Sequence, residues 1–278
     1  MLPADLHTHT EFSWDTATGD MEGSCARAVE LGLPAIAFTE HTDFVTWAVP
    51  PANLPARMRR HIIDDAHLVP PPLDVDGYLE AVDRCRAKFP SLRIITGVEL
   101  GEPHWFPTQA ASLLSAAPFE RVIGSLHSIA VAGRHRHVHR LVEDEFELRG
   151  VPAVLREYFA ETIRMILACD TFSALTHLDY PIRYLPEGTA FSVLDFEEEI
   201  RAVLRALAGT GRAFEVNTRR GPEPEFVRWW REEGGRAVCF GSDAHRPDLV
   251  ATRFAEAAAM VEAAGFRPGR HPYDHWLI

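Results

Sequence analysis

Two histidines separated by a single residue, His7 and His9, follow a short apolar run at the start of the chain, and Asp15 lies in the loop beyond them. If the apolar run is a β-strand, the two imidazoles point to the same side, because strand side chains alternate with a period of two. Converging imidazoles can bind a divalent metal ion, and histidine is the commonest metal ligand in proteins. The pair alone is a weak signal, since such pairs are frequent by chance.

Further apolar runs along the chain also end in polar residues of the kinds that bind metals or substrates. These residues are His41, Glu99, His127, His177, Asn217 and Asp243, with His245 two positions after Asp243. Each has an ordinary alternative explanation, such as a hydrogen-bonded histidine, a buried acid paired with arginine, or a helix cap. Gathered at one place without a cation, however, the carboxylates would repel one another and their pKa values would rise. A multinuclear metal site removes this conflict, so we interpret the set as metal-binding.

The strands that position these residues alternate with helical patterns. We expect strands at residues 2–6, 35–41, 93–99, 121–127, 172–177, 213–217 and 237–245, and helices at residues 21–31, 76–89, 108–116, 152–168, 195–208, 224–232 and 249–264. Continuous apolar strands between helices are typical of a parallel sheet buried on both faces. The polar residues stand at the C-terminal ends of all these strands, which favours a barrel, because a doubly wound sheet gathers its site at one switch point.

Two segments interrupt this alternation. Residues 45–75 are rich in proline, and a connection of this length in a compact domain is usually a functional element, such as a lid over the site, or disordered. Residues 130–149 carry His135, His137 and His139 among arginines, which favours a solvated or substrate-facing strand over a metal site. With no repeat and no clear boundary, residues 1–278 are predicted to form one domain with the 45–75 segment as an insertion.

Composition narrows the possible partners and the location. A formal charge of −12 argues against a sequence-independent nucleic-acid binder, which needs a basic surface. The four cysteines (Cys25, Cys85, Cys169 and Cys239) form no CxxC pair, and three of them lie in apolar helix or strand patterns typical of buried, reduced thiols. The first strand begins at Leu2, which leaves no space for a signal peptide, and no apolar run reaches transmembrane length. We expect a cytoplasmic protein that does not contact a membrane; the sequence does not predict its oligomeric state.

Six motifs together resemble those of the PHP (polymerase and histidinol phosphatase) superfamily. In chain order they begin at Asp5 (DLHTH), Thr39 (TEH), Gly97 (GVE), Gly124 (GSLH), Thr176 (THLD) and Gly241 (GSDAH). The resemblance implies a distorted (β/α)7 barrel with metal ions at the C-terminal ends of the strands. Within the superfamily, the chain length and the segments at residues 177–183 and 215–218 most resemble the histidinol-phosphate phosphatases. Arg219 and Arg220 depart from the small, glycine-containing continuation expected there.

Carried over position by position, the resemblance implies two to three divalent ions of zinc, manganese or iron. His7, His9, Glu99 and Asp243 would bind the first ion. Glu99 would bridge to a second ion, which His127 and His177 also bind. Asp15, His41 and His245 would bind the third, and many family members carry histidine at the position of Asp15.

The expected reaction is hydrolysis of a small phosphate monoester, first of all L-histidinol phosphate, by in-line attack of a metal-bound hydroxide. Two metal ions can generate this nucleophile and stabilise charge on the phosphoryl group. Glu99, Asp243, Arg183 and Asp179 are the predicted catalytic residues. Arg183 is also expected to bind the phosphate, because guanidinium pairs bidentately with phosphate oxygens, and Asn217 is a further candidate for substrate binding.

Three alternatives stay open at this point. The same site could act on another phosphomonoester or on a phosphodiester such as a short oligonucleotide. A non-enzymatic metal-binding domain is disfavoured by the complete ligand set. An amidohydrolase usually has a lysine between two metal ions, whereas Lys88, the only lysine of the chain, lies in a predicted helix.

Overall fold

The computed structural model of the protein describes residues 2–48, 54, 56–64, 67–132, 137–141, 145–221 and 223–278. Its strands are β1 (Asp5–Thr8), β2 (Ala35–Thr42), β3 (Trp47–Ala48), β4 (Ile62–Ile63), β5 (His67–Leu68), β6 (Arg93–Gly101), β7 (Arg121–Ser125), β8 (Ser128–Ala132), β9 (His137–Leu141), β10 (Ala174–Leu175), β11 (Ala213–Asn217), β12 (Ala237–Gly241) and β13 (Trp276–Leu277). Its α-helices are α1 (Met21–Glu30), α2 (Ala56–Arg59), α3 (Val75–Lys88), α4 (Pro107–Ala116), α5 (Phe146–Arg149), α6 (Val151–Ala168), α7 (Glu197–Thr210), α8 (Pro224–Glu232) and α9 (Phe254–Ala263).

A curled sheet forms the centre of the molecule, and over the described residues its strand order is β1-β2-β6-β7-β10-β11-β12-β13. Neighbouring strands from β1 to β12 are parallel, and only β13 runs antiparallel at the edge. The chain beyond β12 returns to β1, where the amide of Asp243 donates to the carbonyl of His7 at 2.9 Å and that of His9 donates to Ala244 at 2.8 Å. These bonds close a distorted seven-stranded α/β barrel, which confirms the predicted fold class.

Local sequence signals explain where several of the helices begin and end. The carboxylates of Asp20 and Asp74 accept hydrogen bonds from the backbone amides of Gly23 and Gly77, which caps α1 and α3. Helix α7 ends at Gly211, whose left-handed conformation (φ 74°) suits glycine. The amphipathic helices pack their apolar faces against the sheet, so the strands are buried on both sides, as the continuous apolar runs indicated.

Two of the predicted elements are clearly shorter than expected. The strand expected at 172–177 is reduced to the two residues of β10. The helix expected at 249–264 starts only at Phe254, because Ala251 and Arg253 adopt positive φ values of 54° and 59°. A short 3₁₀ turn, Pro247–Leu249, occupies the start of the predicted helix.

A second, smaller sheet was not predicted, and over the described residues its order is β4-β5-β3-β9-β8. Its strands come from the proline-rich segment and from the segment after β7. A separate apolar cluster, which we call the Trp14 cluster, packs against it and contains buried Trp14, Val45, Trp47, Leu54 and Leu68. His137 and His139 belong to β9, whereas His135 lies outside the described residues.

Other predicted features of the interior are also found. Trp229 and Trp230 are fully buried in α8 and belong to the main hydrophobic core. All four cysteines lie in described segments and are free thiols. Among the described helices, none combines the length and the apolar character needed to cross a bilayer.

Candidate metal centre

The residues predicted to bind metal all lie at the C-terminal end of the barrel. His7 is in β1, His41 in β2 and Glu99 in β6, while the others follow strand ends: His9 and Asp15 after β1, His127 after β7, His177 after β10, and Asp243 and His245 after β12. Because parallel strands end at the same rim, side chains far apart in sequence come within contact distance there. The side chains form three overlapping groups.

The first group consists of His7, His9, Glu99 and Asp243. The Nε2 atoms of His7 and His9 lie 3.0 Å apart, and each lies 3.3 Å from Oε2 of Glu99. The Oδ1 atom of Asp243 is 3.9 Å from Nε2 of His7 and 3.5 Å from Nε2 of His9. Four buried atoms that can coordinate a metal ion, two imidazole nitrogens and two carboxylate oxygens, thus face a single small volume.

The second group shares Glu99 with the first. Its other carboxylate oxygen, Oε1, lies 2.7 Å from Nε2 of His177 and 3.4 Å from Nε2 of His127. One carboxylate therefore presents an oxygen to each of two sets of imidazoles. This is the arrangement that a bridging ligand between two metal ions requires.

The third group lies nearer the solvent. Oδ2 of Asp15 is 3.2 Å from Nε2 of His245 and 3.7 Å from Nε2 of His41. The ring of His9 stacks on that of His41 with centroids 4.1 Å apart, which places this group against the first. Donor atoms of His9, His41 and His245 lie within 4.8 Å of one another.

The electrostatics of the three groups fit cation binding. Burial alone would raise the pKa of Glu99, but the nearby His41 and His7 outweigh it and hold the pKa well below its ordinary value. Burial likewise disfavours charge on His127, yet its hydrogen bonds to Asp43 and Glu99 raise the pKa of its imidazole. A carboxylate with a lowered pKa and an imidazole with a raised one show that negative and positive charge attract each other across the cluster. Since metal binding displaces protons from such ligands, the donor set suits divalent cations.

Behind the first group, hydrogen bonds orient the two imidazoles of β1. Nδ1 of His7 lies 2.7 Å from Oε1 of Glu215, and Nδ1 of His9 lies 3.0 Å from Oγ of Ser13, which donates to Glu40. Gly241 lies so close to Glu215 and His7 that a side chain there would collide with both. Such outer partners fix the tautomer, so that Nε2 stays available for a metal ion.

The loop that carries Asp243 and His245 is held from β1. Buried Asp5 accepts hydrogen bonds from the amide and the hydroxyl of Ser242, at 3.0 and 2.6 Å, and from the amide of Ala251 at 2.9 Å. Asp243 itself has a left-handed backbone (φ 54°), an uncommon conformation for aspartate. Asp5 thus stabilises the conformation that directs Asp243 and His245 toward the other ligands.

The residues predicted to contact substrate lie beside the first group. Nη1 of Arg183 donates to Oδ2 of Asp243 at 2.6 Å, and Nη2 lies 3.5 Å from Oδ1 of Asp179. Asn217 is nearby, but its amide donates to Glu215 at 3.0 Å and its carbonyl oxygen accepts from the backbone of Arg219. Arg183 and Asp179 are therefore paired at the site, and Asn217 is engaged with residues behind it.

Three functional candidates were not singled out from the sequence. Glu215 contacts His7, Asp43 lies 3.3 Å from Nδ1 of His127, and Nη1 of Arg219 donates to Oδ1 of Asp243 at 3.1 Å. Glu215 could have been found, because it is a charged residue inside an otherwise apolar strand. No local pattern marks Asp43 or Arg219, since their partners come from distant strands.

Fold and donor set together place the protein among α/β barrels with a cluster of candidate metal ligands at the strand ends. Residues 5–219 match the family model described as the PHP domain, and the chain therefore belongs to the PHP domain family.

Two relatives of the chain align with nearly its whole length. A histidinol-phosphatase of Lactococcus lactis is 25% identical, and the alignment covers 96% of this chain and 93% of the relative. A probable histidinol-phosphatase of Clostridium acetobutylicum is 26% identical, and the alignment covers 95% of this chain and 94% of the relative. The crystal structure of the histidinol phosphate phosphatase of Lactococcus lactis, in complex with zinc, L-histidinol and phosphate, has the same fold. It superposes with a TM-score of 0.77 at 23% identity and covers 98% of both chains.

Proposed function

We propose that the protein is a metal-dependent phosphomonoesterase that hydrolyses L-histidinol phosphate to L-histidinol and phosphate. The observation that carries the proposal is the convergence of the metal-ligand candidates at one barrel rim, with Glu99 between two sets of imidazoles. The named activity of the Lactococcus lactis relative supports this substrate, as do the zinc, L-histidinol and phosphate in its crystal structure.

The proposed ligands divide among two to three divalent ions. His7, His9, Glu99 and Asp243 would bind the first, Glu99, His127 and His177 the second, and Asp15, His41 and His245 the third. When bound, divalent ions lower the pKa of water and offset charge on the phosphoryl group. Zinc is the proposed metal because imidazole and carboxylate donors suit it, and manganese and iron are the alternatives.

Arg183 is the proposed contact for the phosphoryl group. Its side chain is only 8% exposed, and its Nε makes no hydrogen bond to any residue that the structure describes. Burial alone would lower the pKa of the guanidinium. The charges of Asp179 and Asp243 outweigh this effect and raise the pKa above its ordinary value, so the side chain stays charged. A buried, charged arginine with an unused donor beside the metal ligands is suited to bidentate phosphate binding.

Arg219 would add a second positive charge on the solvent side. Its side chain is 41% exposed, and Nη1 contacts Oδ1 of Asp243 and Nδ1 of His245. The two arginines thus lie on different oxygens of one carboxylate. We propose that both attract the phosphorylated substrate, with Arg183 closer to the reacting group.

Asp179 and Asn217 are proposed to act mainly by positioning. Asp179 is paired with Arg183 and would orient its guanidinium toward the phosphoryl group. The Asn217 amide donates to Oε2 of Glu215, whose other oxygen contacts His7, and would thereby orient that ligand. The proposed partner is a small phosphorylated molecule, and the proposed location is the cytoplasm, where the free cysteines would stay reduced.

The proposal is tested by phosphate release from L-histidinol phosphate and from an aryl phosphate, using purified protein reconstituted with zinc or manganese. We expect kcat/KM to be far higher for L-histidinol phosphate. Comparable, slow release from both substrates by metal-loaded protein would contradict the proposed substrate while leaving a metal-dependent phosphatase. No release from either substrate would contradict the proposed activity.

A further inference from the structure

Asp43, the first residue after β2, links the second group of metal ligands to the small sheet. We infer that Asp43 is a positioning residue for His127, and that Trp14 and the small sheet stabilise the second metal site through it. The inference rests on the proposed metal ligands, but it concerns residues behind them.

The carboxylate of Asp43 has a partner on each oxygen. Oδ1 lies 3.3 Å from Nδ1 of His127, and Oδ2 accepts a hydrogen bond from Nε1 of Trp14 at 2.8 Å. Only 2% of the Asp43 side chain is exposed, so these contacts are shielded from water. With Nδ1 of His127 donating to a carboxylate, Nε2, which faces Glu99, is the ring nitrogen that would bind a metal ion once the ion displaces its proton.

This contact distinguishes His127 from the other ligand of the second group. Nδ1 of His177 makes no hydrogen bond to any residue in the described part of the chain. In the first group, by contrast, Glu215 lies behind His7. Each of the two neighbouring metal sites therefore has one imidazole supported by a buried carboxylate, and in the second site that carboxylate is Asp43.

The packing around Asp43 restricts where its carboxylate can lie. Gly101, at the end of β6, approaches Oδ1 of Asp43 so closely that any side chain at this position would collide with it. The hydroxyl of Thr42, the preceding residue, donates to the backbone oxygen of Glu99 at 2.8 Å, which fixes the start of the loop. A carboxylate held on two sides gives His127 little freedom to rotate.

Trp14 extends the contact to the small sheet. Its ring lies 5.6 Å from that of Trp47 and 6.1 Å from that of His61, and both neighbours belong to the proline-rich segment. The Trp14 cluster therefore determines where the indole N–H points, and the N–H in turn fixes Asp43. This gives the inserted segment a role in orienting a residue of the metal centre.

The experiment is a zinc titration of metal-free protein in competition with a chromophoric chelator, which yields one affinity for each site. His127→Ala identifies the second site as the affinity that it abolishes. We expect Asp43→Asn to weaken that same affinity by about 10- to 100-fold and to leave the others unchanged. In the double variant, Asp43→Asn should cause no loss beyond that of His127→Ala, because its effect passes through His127.

A pair of tryptophan variants tests the role of the small sheet. Trp14→Phe retains the packing ring but removes the N–H donor to Asp43, so a smaller weakening of the same affinity is expected. Trp105→Phe is the control. The ring of Trp105 packs against the same cluster, but its N–H donates to Glu161, at 2.9 Å, and not to Asp43. This variant should leave zinc binding unchanged.

The outcomes separate this inference from the proposed function. If His127→Ala alters no zinc affinity, the assignment of the second metal site is wrong. If His127→Ala abolishes one affinity while Asp43→Asn and Trp14→Phe bind zinc like the parent, only the present inference is wrong.

Equal losses of zinc affinity from Trp14→Phe and Trp105→Phe, or an added loss in the double variant, would mean that the substitutions act through a general structural effect, which contradicts the inference. Should Asp43→Asn fail to fold, Trp14→Phe decides.

Discussion

Glu99 is the residue on which the proposed site depends most, because its two oxygens face different sets of imidazoles. Replacing it by alanine should remove a ligand from two metal sites at once. We expect Glu99→Ala to abolish turnover and to lower the metal content of the purified protein together, and His177→Ala to do the same with loss of fewer ions. Metal content is measured by elemental analysis beside the phosphate assay.

A histidine remote from the site provides the control for this prediction. His271 is exposed near the C-terminal end of the chain, so His271→Ala should retain full activity and metal content. Full activity in Glu99→Ala or His177→Ala would refute the assignment of these residues as metal ligands.

The arginines beside Asp243 should affect substrate binding and not the metal content. We expect Arg183→Ala to raise KM for a phosphate substrate by roughly 30-fold or more, because the loss of one member of a buried charge pair costs about 2 kcal/mol or more. Arg219→Ala should raise KM less, because its side chain is 41% exposed and solvent partly screens its charge. Steady-state kinetics on metal-replete protein measure both effects.

Arg220 is the matched control for these two arginines. It follows Arg219 directly but pairs with Glu223 away from the metal ligands, so Arg220→Ala should leave KM unchanged. An unchanged KM in Arg183→Ala would exclude Arg183 as a phosphate contact.

At the scale of elements, the loop after β12 depends on Asp5. The carboxylate accepts three hydrogen bonds from Ser242 and Ala251 and donates none. Burial, only partly offset by these bonds, raises the pKa of Asp5 to about 6. In Asp5→Asn, an NH₂ group replaces one of the accepting oxygens and faces an N–H or O–H donor, so at least one buried hydrogen bond is lost. We therefore expect the free energy of unfolding to fall by about 2 kcal/mol.

Urea denaturation of the metal-free proteins measures this loss without the contribution of metal binding. Asp20→Asn is the comparison, because Asp20 caps α1 at an exposed position and asparagine caps equally well. If both variants unfold at the same urea concentration as the parent, Asp5 does not stabilise the loop.

The sequence predicted the barrel elements because each has a strong local signal. β2, β6 and β11 are apolar runs that end in His41, Glu99 and Asn217, and their bounds are close to those expected. The small sheet has no such signal: β3, β4 and β5 each contain two residues, too few to show alternation. Their pairing depends on contacts with β9 and on the Trp14 cluster, neither of which follows from local pattern.

At the scale of the molecule, closure of the barrel brings the first and last parts of the chain together. His7 and Asp243 are separated by nearly the whole sequence, yet their backbones share a hydrogen bond of 2.9 Å where the barrel closes. This explains why the candidate ligands could be singled out one by one from strand ends, whereas the contacts of Asp43 and Arg219 could not. Those contacts depend on the register between neighbouring strands around the barrel, and the periodicity of a single strand does not determine that register.

The far side of the barrel from the metal centre should contribute to the pH dependence of stability. His275 is partly buried, and its Nε2 contacts the guanidinium of Arg121 on β7. Burial and the neighbouring positive charge lower the pKa of His275 to about 4. In the unfolded chain the imidazole takes up a proton near pH 6.5, so between these values the unfolded state binds a proton that the folded state does not. Stability should therefore fall as the pH is lowered through this range.

His275→Gln isolates this contribution, because a glutamine oxygen can still accept a hydrogen bond from Arg121 but does not titrate. Between pH 7 and about pH 4.5, the parent protein should lose about 2 kcal/mol more stability than the variant. Urea denaturation at both pH values in the presence of a chelator measures the difference, since the metal ligands then titrate alike in the two proteins. Equal losses in both proteins would show that His275 titrates in the folded state as it does in the unfolded chain, and that its contact with Arg121 has no effect on acid stability.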